Sequence, residues 1–200
     1  MFMGDVPESP TIIQFHDEAG NPALTNHLTT LQTHVYNPLN DDYGALTTTV
    51  SDGHAISCVW PSTSKFSNMP GIYTLRFHFE HGNEKITPEP LQFVIQEVNG
   101  WLTLETAREQ WADAPLEDVF LYQILETAKA QCIAYAPVVV GFPPIAYVQA
   151  QLLQARAIYQ SVIANQNDSS GLDGFTVRVF PLDFTIRAML RPKRAIGSMF

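Results

Sequence analysis

Cysteine, the residue that forms disulfides and many metal sites, is scarce in this sequence. Only two cysteines occur among 200 residues, Cys58 and Cys132, each inside an apolar run and without a CxxC spacing. We therefore expect two buried free thiols in a reducing compartment, not a disulfide or a zinc site. No apolar run approaches the roughly 18 residues of a membrane span, and the opening MFMGDVPESPT lacks the basic and apolar regions of a signal peptide. These absences predict a soluble protein made in a cytoplasm.

The motifs of the common enzyme and nucleotide-binding classes are absent as well. The sequence has no GxGxxG, GxxxxGK[ST], HExxH or GxSxG. His78 and His81 stand three apart in a predicted strand, which points them to opposite faces, and the trio His16-Asp17-Glu18 is typical of a strand-to-turn transition. The acidic run of residues 105–118 is typical of solvated carboxylates near helix N-termini. We therefore predict no catalytic residue, no metal site, no cofactor and no enzyme activity.

Basic residues are few and unevenly placed. The formal charge is −9; residues 1–100 hold 11 acidic against 3 basic side chains, a net of −8, and residues 101–200 hold 9 against 8, a net of −1. Four of the basic residues follow position 186, where no acidic residue occurs. An acidic body disfavours general nucleic-acid binding, which needs a basic face, but it suits a part that lines a DNA passage without gripping the DNA.

The first half of the chain has the pattern of short β-strands. Alternating segments such as TIIQF, HAISCVW, GIYTLRFHF and LQFVIQEV are separated by turn residues rich in Gly, Pro, Asn and Asp. In the third of these segments Tyr73, Leu75, Phe77 and Phe79 occupy one face at a period of two. Strands of this length and spacing predict an antiparallel β-sandwich over residues 1–98.

Near position 99 the apolar period changes to 3.6, which predicts a helical domain over residues 99–200. The first predicted helix follows an N-cap at Thr103, and the second follows Pro115 and ends before Pro137. A third opens at Pro143-Pro144, and the two long helices should pack antiparallel. The predicted apolar faces are Leu116, Phe120, Ile124, Ala128 and Cys132 in the second helix, and Ile145, Val148, Leu152, Ala155, Tyr159 and Ile163 in the third.

The second half closes with a basic, half-apolar tail, TVRVFPLDFTIRAMLRPKR, over residues 176–194. Pro181 opens one more predicted helix with an apolar side, and Arg187, Arg191 and Arg194 lie beside that side at spacings of four and three. Two interpretations stay open. In one, the helix folds back on its own domain, with its basic residues complementing the helix dipole. In the other, it docks in a partner's groove while its arginines meet acidic or phosphate groups. Helices that bind membrane surfaces share this pattern, but we expect no membrane contact.

Three segments of the second half stand out as an ordered set: WLTLETAREQWADAPLEDVFLYQILETAKAQCIAYAP, PPIAYVQAQLLQARAIYQSVIAN and GFTVRVFPLDFTIRAMLRPKR, within residues 101–194. In this order they resemble the head-to-tail connector (adaptor) proteins of long-tailed bacteriophages. The resemblance implies a homo-oligomeric ring, typically of twelve copies, that joins the portal protein to a downstream stopper or tail protein. Genomic DNA would pass through the ring. The implied location is the neck of the virion, after assembly in the host cytoplasm.

The same resemblance makes residues 181–200 a portal-docking tail, with AMLRP standing where the family more often has LLRP. The residues that it implies in docking are Pro181, Leu182, Ile186, Arg187, Met189, Leu190, Arg191, Pro192, Lys193 and Arg194. The first half resembles the immunoglobulin-like N-terminal domain of phage baseplate and fibre proteins, on the segments IIQFHDEAGNP, HAISCVWP, MPGIYTLRFHF and EPLQFVIQEV. Minimal adaptors lack such a domain, so the implied protein is an adaptor that carries a β-sandwich outward from its ring.

The expected fold class is therefore α+β, with an immunoglobulin-like β-sandwich at 1–98 and a small helical adaptor domain with an extended basic tail at 99–200. The expected function is that of a virion structural protein joining portal and tail. The alternative is a baseplate or tail-fibre component, in which the sandwich is central and the helices attach it. A small regulator that binds nucleic acid through the basic tail is a third hypothesis, and the charge of −9 counts against it.

Overall fold

The computed structural model describes residues 1–5, 7–17, 19–22, 25, 27–61, 68–138, 140–167 and 182–191. Over these residues the chain is a mixed α+β protein with one antiparallel sheet of seven strands and four helices, which confirms the predicted class. Contacts within the chain divide it into two compact units, Met1–Glu97 and Val98–Phe200. Each unit is described by itself.

The first unit holds all the strands, which pair in the order β1-β4-β3-β2-β5-β6, with β7 also paired to β5. Their bounds are β1 Thr11–Gln14, β2 Thr30–Tyr36, β3 Asp42–Asp52, β4 Ala55–Val59, β5 Gly71–His81, β6 Glu84–Ile86 and β7 Leu91–Ile95. The first half of β3, as far as Leu46, pairs with β2, and the second half, from Thr47, pairs with β4. A strand that passes from one ladder to another is how antiparallel sheets turn a corner. β3 thereby joins the ladder of β1 and β4 to that of β2 and β5.

Strand β5 supplies the centre of the core of this unit. Tyr73, Leu75, Phe77 and Phe79 are all buried, whereas the intervening His78 is exposed, which confirms the predicted alternation. The core is completed by Ile13, Val35, Leu46, Ile56, Cys58, Trp60 and Ile95. Because side chains in a strand point alternately to opposite faces, this period of two is what places the aromatic residues together.

A close approach of two chain segments fixes the start of β5. Gly71 has φ +145°, and a Cβ atom there would overlap the ring of Pro38. Only glycine combines this backbone angle with the absence of a side chain. The PG turn that precedes the strand therefore depends on Gly71.

The second unit holds helices α1 Leu104–Gln110, α2 Asp118–Tyr135, α3 Ile145–Asn167 and α4 Phe184–Leu190. Thr103 caps α1, as predicted: its side chain accepts a hydrogen bond from the backbone N–H of Thr106 at 3.3 Å. α2 ends where Pro137 requires, since the backbone N–H of Ala136 still donates to Cys132 and the chain then turns extended. None of the helices in the described part of the chain is long and apolar enough to cross a membrane.

The predicted start of the second helix is wrong by two residues. Leu116 was assigned to the apolar face, but α2 begins at Asp118 and Leu116 is 92% exposed. The reason is Arg108, whose guanidinium donates to the carbonyls of Pro115 and Leu116 and pairs with the Asp118 carboxylate at 2.7 Å. These bonds hold residues 115–117 in a non-helical turn.

We expect Phe77→Ala to lower the free energy of unfolding of the strand unit by about 3–5 kcal/mol, because a large buried ring is lost from a packed core. The matched control is the adjacent His78→Ala, which lies on the exposed face and should change stability by less than about 0.5 kcal/mol. Urea titration followed by hydrogen-exchange mass spectrometry measures both, peptide by peptide. Equal effects of the two substitutions would contradict the assignment of faces.

Candidate functional site: the helical pair, its ends and the C-terminal helix

The seam between α2 and α3 organises the helical unit. Phe120 contacts Tyr159, with ring centroids 6.1 Å apart. The carbonyl of Leu125, one turn and a half further along α2, meets Gln151. The residue later in α2 thus contacts the residue earlier in α3. The two helices are therefore antiparallel, as predicted.

A glutamine at the centre of the seam connects three segments. Gln151 is fully buried; its Oε1 accepts from the backbone N–H of Leu102 at 2.9 Å, and its Nε2 donates to the carbonyl of Leu125 at 3.1 Å. Gln154, also buried, donates to the side chain of Gln131. Sequence reasoning missed both glutamines, because a polar residue in a helix is expected on the exposed face unless its partners are known.

Helix α4 is folded back on its own unit. Ile186 and Leu190 are buried and pack in one cluster with Cys132, Tyr147 and Ala150. Leu182 and Met189, two of the other residues implied in docking, are half-buried around the same cluster. Asp183 caps the helix by accepting from the backbone N–H of Thr185 at 2.7 Å. The first of the two open interpretations of the tail therefore describes the placement of this helix.

The basic residues implied in docking divide into two groups. Arg187 is exposed, and Arg191 stacks on the ring of Tyr135 with its guanidinium carbon 4.8 Å from the ring centroid. Pro181, Pro192, Lys193 and Arg194 lie outside the described residues. The outward side of α4 presents Phe184, Arg187 and Arg191, which are exposed among the described residues, whereas Ile186 and Leu190 are buried. Docking of a portal protein remains a prediction.

One end of the helical pair presents an apolar surface that none of the described residues covers, and sequence reasoning also missed it. The apolar loop, residues 137, 138 and 140–145, runs from the end of α2 to the first residue of α3 and contains three prolines and no charged residue. Val138, Val140, Phe142 and Ile145 are all strongly exposed, Val140 to 97%. Gly100, at φ +84°, leaves the space in which the Phe142 ring and Pro143 lie, so the loop packs on the chain just before α1. The run PVVVGFPPI was the available signal.

The other end of the pair carries a cleft of about 530 Å³. The cleft is lined by Trp111, Ala112, Asp113, Arg156, Tyr159, Gln160 and Ile163. Arg156 donates to the carbonyl of Gln110 at 2.6 Å, at the end of α1, and lies over the ring of Trp111. Its Nε has no hydrogen-bond partner among the residues that the structure describes. The cleft thus combines aromatic walls with hydrogen-bond donors.

The structure describes the two cysteines and Asp17, on which the sequence analysis made predictions. Cys58 and Cys132 are buried and form no disulfide, as expected, and burial raises the pKa of Cys132 to about 11. Asp17 accepts hydrogen bonds from the backbone N–H groups of Asn21 and Ala19, which hold its pKa below the usual value; it is part of a turn, as predicted. Within the described ranges no group of three or more His, Cys, Asp or Glu side chains could hold a metal ion.

Comparison with known proteins leaves the family open. No protein-family model matches the chain, and no curated protein matches it.

We expect Gln151→Leu to destabilise the helical unit by about 1–3 kcal/mol, because the buried N–H of Leu102 loses its acceptor while the side-chain volume is nearly kept. The matched control is Gln149→Leu on the exposed face of the same helix, which should be nearly neutral. Urea unfolding followed by circular dichroism at the helix band reports both. A neutral Gln151→Leu would mean that the bridge does not hold the three segments together.

The packing of α4 on its own unit can be tested by measuring the reactivity of the Cys132 thiol. In the wild type this thiol should resist alkylation at pH 8, because with a pKa of about 11 only about one thiol in a thousand is ionised. Leu190→Asp should unseat α4, return the pKa towards its ordinary value of 9 and raise the alkylation rate at least tenfold. Phe184→Asp, on the exposed side of the same short helix, is the control and should leave the rate unchanged. Cys58, in the other unit, serves as an internal standard in the peptide map.

Proposed function

We propose that the chain is a bacteriophage virion structural protein, a subunit of an adaptor ring that joins the portal vertex of the head to the tail and continues the DNA channel. The observation that carries this proposal is the helical unit. Its short α1, antiparallel pair and folded-back α4 follow the order of the segments that resemble phage adaptors, and an apolar loop stands uncovered at one end of the pair. A contiguous exposed apolar surface is typical of a protein that works in an assembly.

The charge distribution supports a role around DNA without tight binding. A net charge of −9 repels a polyanion, so DNA moving through a ring of such subunits would meet little attraction. The basic residues after position 186 are the exception, and two of them, Arg187 and Arg191, lie on the outward side of α4. Acidic groups of a portal subunit are the expected partners of these two arginines, while DNA passes the acidic remainder.

The strand unit is proposed to be an immunoglobulin-like β-sandwich domain over residues 1–98, carried outward from the ring formed by residues 99–200. Its support is the passage of β3 from one ladder to the other, which lets a single chain build two facing layers. Its size, about a hundred residues, is enough for a core of its own. The downstream face of the ring is expected to meet a stopper or tail protein.

Electron microscopy of lysates from a phage with a stop codon at Trp101 tests the adaptor role. We expect DNA-filled or leaking heads beside complete free tails, because the helical unit that joins the two would be missing. Whole particles with poor infectivity would contradict this role and would favour a baseplate or fibre component, in which the strand unit is central. A phage with synonymous substitutions in the codons on either side of Trp101 is the control for effects on the transcript.

Charge reversal of the arginines implied in docking tests the docking surface. Arg187→Glu with Arg191→Glu and Arg194→Glu should abolish binding to the portal protein. The folded monomer should survive, since Arg187 and Arg191 are exposed, exposed substitutions cost little, and the lost Arg191–Tyr135 contact accounts for about 0.5–1 kcal/mol. Reversal of Arg76, an exposed arginine of the strand unit, is the control. Co-sedimentation with portal rings is the measurement; unchanged binding would remove this surface from the account, and an unfolded monomer would assign these arginines to the fold.

A further inference from the structure

We propose that the apolar loop of one subunit inserts into the cleft of the next, so that the chain assembles with itself head to tail. This inference rests on the proposed ring, for which it names the contact between neighbouring copies. The loop begins at Pro137, and Tyr159 is one of the residues that line the cleft. Nothing in the described part of the chain covers either surface, although both belong to the same pair of helices.

The positions of the two surfaces determine the kind of contact. The loop lies where α2 passes into α3, and the cleft lies where α1 ends beside the later turns of α3. Tyr147, next to the loop, and Tyr159, in the cleft, are twelve residues apart on α3, which corresponds to about 18 Å at 1.5 Å per residue. A subunit therefore offers its loop at one end and its cleft at the other. Contacts between two different surfaces repeat from copy to copy and close into a ring when the rotation between copies allows it.

The chemistry of the two surfaces is complementary. The loop has apolar side chains, and its three prolines lack N–H groups, so its backbone offers more acceptors than donors. The cleft has the aromatic walls Trp111 and Tyr159 and the donors of Arg156 and Gln160. Apolar side chains of the loop would pack on the outer side of the Tyr159 ring, which contacts Trp111 at a centroid distance of 5.4 Å. With backbone carbonyls facing the Gln160 amide, this would form an apolar interface core within a polar rim.

The proposed ring makes a second copy the occupant, and the charges of the two surfaces permit the contact. Two chains of charge −9 repel each other over most of their surfaces. The loop carries no charge, and among the lining residues of the cleft Asp113 is balanced by Arg156. These surfaces are therefore places where two acidic copies meet without local repulsion.

The test uses one variant for each surface. Val140→Asp places a charge on the loop, and Ile163→Asp places one in the cleft; both side chains are exposed, so the monomer should fold, as circular dichroism will verify. Leu39→Asp, on an exposed turn of the strand unit, is the control. Sedimentation velocity is run for each full-length chain from about 1 μM to about 1 mM, a range that covers weak and moderate association.

The wild type and the Leu39→Asp control should form oligomers, and each surface variant alone should remain a monomer of 22.3 kDa. An equimolar mixture of the two surface variants should form a dimer and stop there, because only one intact loop and one intact cleft remain to meet. A wild type that stays monomeric throughout, a cleft variant that assembles like the wild type, or a mixture that stays monomeric or grows beyond a dimer would each overturn the proposal.

The outcome is separable from that of the proposed function. In one outcome, sedimentation gives one of the contradicting results while the phage with the stop codon still yields separate heads and tails. In that case the adaptor role stands and the loop-to-cleft contact does not. If the oligomers form through these surfaces but particles join without the protein, the contact stands and the adaptor role fails.

Discussion

The antiparallel seam between α2 and α3 is the constraint on which the helical unit depends. Gln151 lies at its centre and connects the chain before α1 to both long helices through two buried hydrogen bonds. A buried amide is stabilising only when its partners are in place, so this bridge fixes the register of the pair as well as its stability. α4 then closes the seam on one side, with Leu190 completely buried.

Everything that the unit presents to the outside follows from that register. The apolar loop stands at one end because α2 ends before Pro137, as the residue preceding a proline disfavours the helical conformation, and α3 starts at Ile145, just after Pro144. The cleft lies at the other end, where α1 is short and Arg156 of α3 donates a hydrogen bond to the carbonyl of Gln110, the last residue of α1. A rigid pair with different surfaces at its two ends suits a subunit that contacts a neighbour on each side.

The sequence was sufficient to predict the type of each secondary-structure element and those helix ends that depend on neighbouring residues. Thr103 capped α1 as predicted, and the alternation around Phe77 placed the strand core. It was insufficient where distant residues decide. Leu116 was assigned to the second helix, but the hydrogen bond from Arg108 to its carbonyl keeps it outside that helix. Gln151 could not be recognised as buried, because its partners Leu102 and the Leu125 carbonyl are distant in the sequence. For the candidate site, the amphipathic tail helix was predicted, but periodicity alone could not choose between a seat on its own unit and a partner's groove.

The measurement that most directly tests the central claim is the position of the protein in the virion. Particles carrying this chain with a peptide tag at its N-terminus would be labelled with gold and imaged by electron microscopy. An adaptor ring predicts gold at the junction of head and tail, and only there. Gold at the far end of the tail, with none at the junction, would contradict the account and assign the protein to the baseplate or fibres.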